Sequence, residues 1–311
     1  RPHAEELILK KVGDQAFGSI MYVTLEPCYH NSISGSCAKQ IIKAGIKKIY
    51  IAKIDTDPRT NSKSIKLFKK NLIKTYVGLT SEYTLRLNNF FFNSLELKRP
   101  YIKVKMAISN DEKIARSNYS SKWISNSKSR EYAHKLRFQS QAILTTGKTI
   151  NKDNPRFTIR KNNFIIKHLP VIIIDKSLKL SLQSNLIKNI SKKRIIIFTS
   201  KNNKKIIKLK KIGCEIFFIN KNKSGEFSLK IIMKKILSLN INNILVEAGG
   251  VFLTNLLNNK LIDELHIFKS PINIGKTGIP MIIGKKINNL QLKEITKKNF
   301  GKDVYRYFLT I

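Results

Sequence analysis

His3-Ala4-Glu5 and Thr24-Leu25-Glu26-Pro27-Cys28, followed by Cys37, decide how this 311-residue chain is read. One imidazole and two thiolates can hold Zn²⁺ and leave its fourth position for water. A carboxylate two residues after the histidine is then placed to move that water's protons. Taken singly, each of the four reads as an ordinary surface or core residue. Taken in this order, His3, Cys28 and Cys37 are the expected metal ligands and Glu5 the expected catalytic residue.

The elements around the motif alternate. Ala4, Leu7, Ile8 and Lys11 recur at helical spacing, so a helix is expected over His3 to Val12. Strands are expected at Ile20 to Leu25, Lys48 to Ile54 and Ile73 to Val77. Helices are expected at Ala38 to Ala44, Ser64 to Asn71 and Ser81 to Leu95. Cys37 then opens a helix, where the dipole favours the thiolate that zinc requires. Lys98-Arg99-Pro100 marks a boundary, giving domains at 1–99 and 100–311. Beyond it, strands are expected at Tyr101 to Ala107, Ala142 to Thr146, Val171 to Ile174, Arg194 to Thr199, Glu215 to Ile219, Asn243 to Glu247, Glu264 to Ser270 and Tyr305 to Ile311. Helices are expected at Ser127 to Phe138, Ser228 to Leu239 and Gly250 to Asn258, and the Lys/Asn-rich stretch 201–211 reads as solvated. This rhythm implies two α/β domains.

Composition narrows the class. An apolar content of 42% is globular. No run approaches the roughly 18 apolar residues that span a bilayer, so no membrane partner is expected. Three cysteines are too few for a disulfide framework and fit a cytoplasmic protein. Cys214 reads as a buried strand residue. The net charge of +39 invites a nucleic-acid reading. Its lysines are spread over the whole chain among Ile and Asn, without the aromatic interleaving of a strand-binding groove. Solvated faces are the first reading and polyanion affinity the second.

The cysteine spacing separates families. Nucleobase deaminases of nucleic acids carry Pro-Cys-x-x-Cys, whereas eight residues lie between Cys28 and Cys37. The segment Glu26-Pro27-Cys28-Tyr29-His30 to Gly35-Ser36-Cys37 resembles the loop of the bifunctional riboflavin-biosynthesis deaminase–reductase family, with Ser32, Ser34, Gly35 and Ser36 where that family has Gly, Thr, Pro and Pro. His30 reads as a loop-packing residue rather than a ligand. The second half carries the same resemblance. Lys105-Met106-Ala107-Ile108-Ser109 resembles the opening reductase strand, although Asn110-Asp111-Glu112 lacks the glycine that usually follows. Ser121-Lys122-Trp123-Ile124, Leu136-Arg137, Asp153-Asn154-Pro155-Arg156-Phe157-Thr158-Ile159-Arg160 and Val246-Glu247-Ala248-Gly249-Gly250 resemble further elements of it.

The resemblance implies a cytidine-deaminase-like α/β/α domain, incomplete at its start, followed by a dihydrofolate-reductase-like α/β domain. It implies zinc-dependent deamination of 2,5-diamino-6-ribosylamino-4(3H)-pyrimidinone 5′-phosphate, then NADPH-dependent reduction of the ribosyl to the ribityl chain. Substrate contacts are expected from Ser121, Arg137, Phe157, Arg160 and Glu247. Cofactor contacts are expected from Ala107, Trp123, Thr149, Asp153, Gly249, Gly250, Val251, Phe252, Leu253, Thr254 and Asn255. It also implies a homo-oligomer, dimeric through the reductase domain. The family carries a helix and two strands ahead of its His-Ala-Glu, so this chain is expected to be a piece of a longer protein. The alternatives are a reductase with a decayed deaminase half, and a tRNA-editing deaminase with a basic appended domain.

Overall fold

A computed structural model describes residues 2–31, 35–78, 94, 96–118, 124–162, 164–223, 225–283 and 292–310. They form two compact units, Arg1–Leu97 and Lys98–Ile311. The helix expected at Ser81 to Leu95 falls almost wholly outside the described residues.

In the first unit, α1 (Ala4–Val12), α2 (Cys37–Lys43) and α3 (Lys63–Lys70) connect to a parallel sheet of β1 (Ile20–Val23), β2 (Lys48–Ile51) and β3 (Lys74–Val77), in that order. Alternation in the strands turns Met21, Ile49 and Ile51 inward, onto Ala38, Ile41 and Phe68 of the helices. Ser36 caps α2, its hydroxyl accepting the Lys39 N–H. Gly45 follows that helix at φ +68°, where an added Cβ would lie 2.5 Å from the Phe17 ring. Only glycine suits both constraints.

The second unit is built on a nine-stranded sheet. Its strands are β4 (Tyr101–Ile108), β6 (Ala142–Thr146), β9 (Val171–Ile174), β10 (Ile195–Thr199), β11 (Glu215–Phe218), β12 (Asn243–Val246), β13 (Glu264–Lys269), β15 (Leu292–Phe300) and β16 (Asp303–Thr310). Their order is β11-β10-β9-β6-β12-β4-β13-β16-β15. Pairing is parallel from β11 to β13 and antiparallel from β13 to β15. β9 and β10 are nearly continuous apolar runs because both faces are covered. β4 alternates instead. Val104, Met106 and Ile108 enter the main core with α8 (Leu229–Ser238) and α9 (Gly250–Asn258), leaving Lys103, Lys105 and Ala107 on the other face.

The remaining helices are α4 (Ser127–Phe138), α5 (Gly147–Asp153), α6 (Asn185–Lys188) and α7 (Lys204–Lys211). Two short pairs complete the unit: β5 (Lys113–Ala115) with β14 (Ile279–Pro280), and β7 (Thr158–Lys161) with β8 (Phe164–His168). The stretch expected to be merely solvated holds α7, because Ile206 and Leu209 share one helical face and are buried under a lysine-rich exterior. β15 escapes sequence reading because it is a sheet-edge strand with a polar sequence and no fully buried residue.

The entry to this unit is clamped. Arg99 donates two hydrogen bonds to Asp263 (2.6 and 2.8 Å), and Asp263 also accepts the Ile102 N–H at 2.7 Å. In the turn after β4, Glu112 occupies φ +60° where the resembling family has glycine. A side chain in that region costs roughly 1 kcal/mol, partly offset by the unfolded-state entropy of glycine. Glu112→Gly is therefore expected to raise stability slightly, by at most about 0.6 kcal/mol, in a denaturant titration. A loss of stability would show that the turn is not strained.

Candidate active sites

Three separate elements bring the first site together. His3 precedes α1, Cys28 lies in the loop after β1, and Cys37 begins α2. His3 Nδ1 lies 3.2 Å from Cys37 Sγ and 3.6 Å from Cys28 Sγ, and all three donor atoms fall within 4.8 Å. Tetrahedral zinc with Zn–S of about 2.3 Å and Zn–N of about 2.05 Å sets donors roughly 3.6 Å apart. The donor set fits that ion. Both thiols are buried while His3 is exposed. Burial, then the adjacent Cys28, then Glu5 hold the Cys37 thiol above its ordinary range, a bias that a bound cation reverses.

The loop holding Cys28 is pinned from both sides. Cys28 O accepts from the Ser36 hydroxyl (3.0 Å) and the Ala38 N–H (3.2 Å). Ser64 Oγ donates to Pro27 O at 2.6 Å. Glu26, almost wholly buried, accepts from the backbone N–H groups of Asp55, Ser62 and Ser64. Burial raises its carboxyl, and those donors work against the rise. Glu26 thus ties the start of α3 to the cysteine loop, a role the sequence reading left unassigned. His30 bonds Thr60 Oγ1 through Nδ1 at 3.2 Å, which joins the cysteine loop to the turn before α3.

The second unit gathers charge on the lysine-bearing face of β4. Arg137, near the end of α4, donates from Nε and Nη2 to Glu247 (2.5 and 2.9 Å) and from Nη1 to Thr158 O (2.9 Å). The two side chains are only 16% and 12% exposed. Burial favours neutral forms of both; each partner's charge overcomes it, lifting the Arg137 guanidinium and holding Glu247 low. Burial pushes the Lys105 ammonium down, with Glu247 the largest opposing influence. The Arg137 guanidinium also lies 5.7 Å from the ring centre of buried Phe157, which has φ +44°. A non-glycine residue there marks a strained position. Arg160 donates from Nε to Thr158 Oγ1 at 3.1 Å. Among the described residues its terminal nitrogens meet no acceptor.

Expected substrate residues Arg137, Phe157, Arg160 and Glu247 therefore adjoin one another through Thr158; Ser121 and Trp123 lie outside the described residues. One expectation changes in detail. Every nitrogen of the Arg137 fork is engaged by protein, so Arg160 is the arginine with donors to spare.

The cofactor residues divide. Gly249 caps α9, and an added Cβ there would find only Ile114 Cδ1, at 4.0 Å. That opening beside unsatisfied helical N–H groups fits a cofactor phosphate. At Gly250 an added Cβ would lie 2.6 Å from Met281 O, so this glycine serves packing. Phe252 and Leu253 belong to the core, and Thr254 Oγ1 accepts the Ile283 N–H at 3.0 Å. Their side chains are occupied elsewhere, which narrows the expected contacts to the amides of Gly249, Gly250 and Val251 and to exposed Asn255. Thr149 is engaged with Thr146, which caps α5. Ala107 is half-buried on β4 and Asp153 exposed at the end of α5.

Comparison with known proteins decides the family. A family profile described as the RibD C-terminal domain matches residues 100–305, and one for the cytidine and deoxycytidylate deaminase zinc-binding region matches residues 1–53. The riboflavin biosynthesis protein RibD of Aquifex aeolicus is 34% identical, over 99% of this chain and 85% of its own length. The chain belongs to the RibD family. Solved RibD relatives superpose on all of it. That of Acinetobacter baumannii does so with TM-score 0.86 at 25% identity, covering 86% of that chain. The deaminase/reductase of Thermotoga maritima does so with TM-score 0.83 at 26% identity, also covering 86% of that chain.

As a member of that family, the protein is a bifunctional enzyme of riboflavin biosynthesis, a zinc-dependent deaminase joined to an NADPH-dependent reductase. It acts on phosphorylated pyrimidines. Neither a reductase with a decayed deaminase half nor a tRNA-editing deaminase is favoured. Among the described residues, no helix is long and apolar enough to cross a membrane. Sequence reasoning missed Lys105 as a site residue although it quoted the strand; a lysine amid apolar β4 residues was the available signal.

The metal expectation is direct. The purified protein should contain one zinc per chain by elemental analysis, and Cys37→Ala should lose most of it. Unchanged zinc in a folded Cys37→Ala variant would remove Cys37 from the ligand set.

Proposed function

We propose that the first unit releases ammonia from 2,5-diamino-6-ribosylamino-4(3H)-pyrimidinone 5′-phosphate and that the second reduces the ribosyl chain of the product. The observation that carries this reading is the convergence of His3, Cys28 and Cys37 beside Glu5. The printed name of the Thermotoga relative, a diaminohydroxyphosphoribosylaminopyrimidine deaminase and 5-amino-6-(5-phosphoribosylamino)uracil reductase, supports the substrates.

In the deaminase, His3, Cys28 and Cys37 would hold zinc, which when bound lowers the pKa of a coordinated water. Glu5 takes a proton from the attacking water and delivers it to the departing amino group, so that ammonia leaves as the carbonyl forms. In the reductase, NADPH when bound supplies the hydride. Hydride added at C1′ breaks that carbon's bond to the ribose ring oxygen while the amine stays attached, and the departing ring oxygen needs one proton, which Lys105, beside Glu247, would give. Glu247, kept anionic by Arg137, holds the ribose hydroxyls. Arg160 takes the 5′-phosphate with its two terminal nitrogens, which meet no acceptor among the described residues. A cytoplasmic setting and a homo-oligomer joined through the reductase unit complete the reading; the three free thiols support the first, and the outermost strand β15 offers an edge for the second.

Two variants test the assignment. Glu5→Gln should abolish ammonia release and leave NADPH-dependent reduction of pre-deaminated substrate intact. Equal loss of both in a folded variant would contradict separate sites. Arg160→Ala should raise the substrate KM roughly 10- to 150-fold, as a charge-assisted hydrogen bond implies, and leave that of NADPH unchanged. Attraction by the +39 surface alone would instead give a small effect that moderate salt erases.

A further inference from the structure

His134 lies one helical turn before Arg137 on α4, so the two side chains share a face. Its Nδ1 is 3.3 Å from the backbone nitrogen of Arg160 on β7. A backbone nitrogen can only donate, so Nδ1 is the acceptor and carries no proton. The same face of α4 sends Arg137 to the carbonyl of Thr158, two residues earlier on β7. One turn of helix thus grips both polar groups of a strand edge, an N–H through His134 and a C=O through Arg137. We propose that His134 is a positioning residue of the reductase, setting Arg160 at the substrate phosphate by accepting the Arg160 N–H in its neutral form. This inference rests on the proposed role of Arg160.

The surroundings suit a neutral ring. Burial, then Arg137, lower the His134 imidazolium, and Arg160 adds to this; Glu247 and a hydrogen bond to the Thr158 backbone oppose it. Arg137, Arg160 and Glu247 are the charged groups facing the ring, from α4, from β7 and from the turn after β12. Protonation at Nδ1 would set N–H against N–H. The phosphate grip should therefore slacken in acid, beyond what titration of the substrate phosphate, near pH 6, produces on its own.

An isosteric pair of variants tests this. Asparagine can place an amide oxygen where Nδ1 stands; leucine fills similar space without an acceptor. His134→Leu should raise the reductase KM for the pre-deaminated phosphorylated substrate about 5- to 10-fold, the size expected of one hydrogen bond, with the NADPH KM unchanged. His134→Asn should recover most of that loss. The wild type should show an acid limb in substrate KM that His134→Asn lacks, and this comparison stands even if the leucine variant fails to fold. Identical acid limbs in wild type and His134→Asn would overturn the proposal. So would equal losses in the two variants, or a parallel rise in NADPH KM. Arg160→Ala run alongside separates the layers. If it leaves substrate KM unchanged, the phosphate assignment fails and His134 with it; if it raises KM while His134→Leu does not, only the positioning role fails.

Discussion

Glu247 is a carboxylate in a place where a lone charge could not persist. Desolvation of an ion is worth several kcal/mol, and removing one partner of such a pair typically costs about 3–5 kcal/mol. Arg137 is what keeps it ionised, through two hydrogen bonds and its charge. The same guanidinium bonds Thr158 O and lies over Phe157. One side chain therefore connects α4, the end of β12 and the start of β7. Lys105 reaches the same cluster from β4. Without the ion pair, the polar face of the sheet would have no fixed arrangement to offer a substrate.

The deaminase unit solves a related problem with less charge. Its donors are placed by backbone constraints rather than by an ion pair. Ser36 both caps α2 and bonds Cys28 O, so one hydroxyl coordinates the helix start with the loop. Glu26 collects backbone N–H groups of Asp55, Ser62 and Ser64 and ties them to the loop that carries Cys28. The two sites are thus assembled separately, each within its own unit.

Much of this was legible in the amino-acid sequence. The apolar strands β6 and β9 and the helices α4 and α9 lie at the residues that periodicity marks. The candidate zinc ligands stand out because His, Cys and Cys in that order have few other common uses, and the fold brings their donor atoms within 4.8 Å of one another. Less legible was what depends on tertiary pairing. β15 is polar and exists through its partner β16. The glycines at 249 and 250 look alike in sequence, yet one faces open space and the other a backbone carbonyl. Arg137 and Arg160 also look alike, and only the position of Glu247 shows which has its donors engaged.

The central claim is that one chain performs both reactions in order, and a single progress curve tests it. Ammonia release and NADPH absorbance would be followed together after adding the diaminopyrimidine phosphate to the zinc-loaded protein. The account predicts one ammonia released and one NADPH consumed per substrate, with ammonia leading and NADPH following after a lag. Oxidation of NADPH without prior ammonia, or ammonia release with no NADPH consumed, would contradict it.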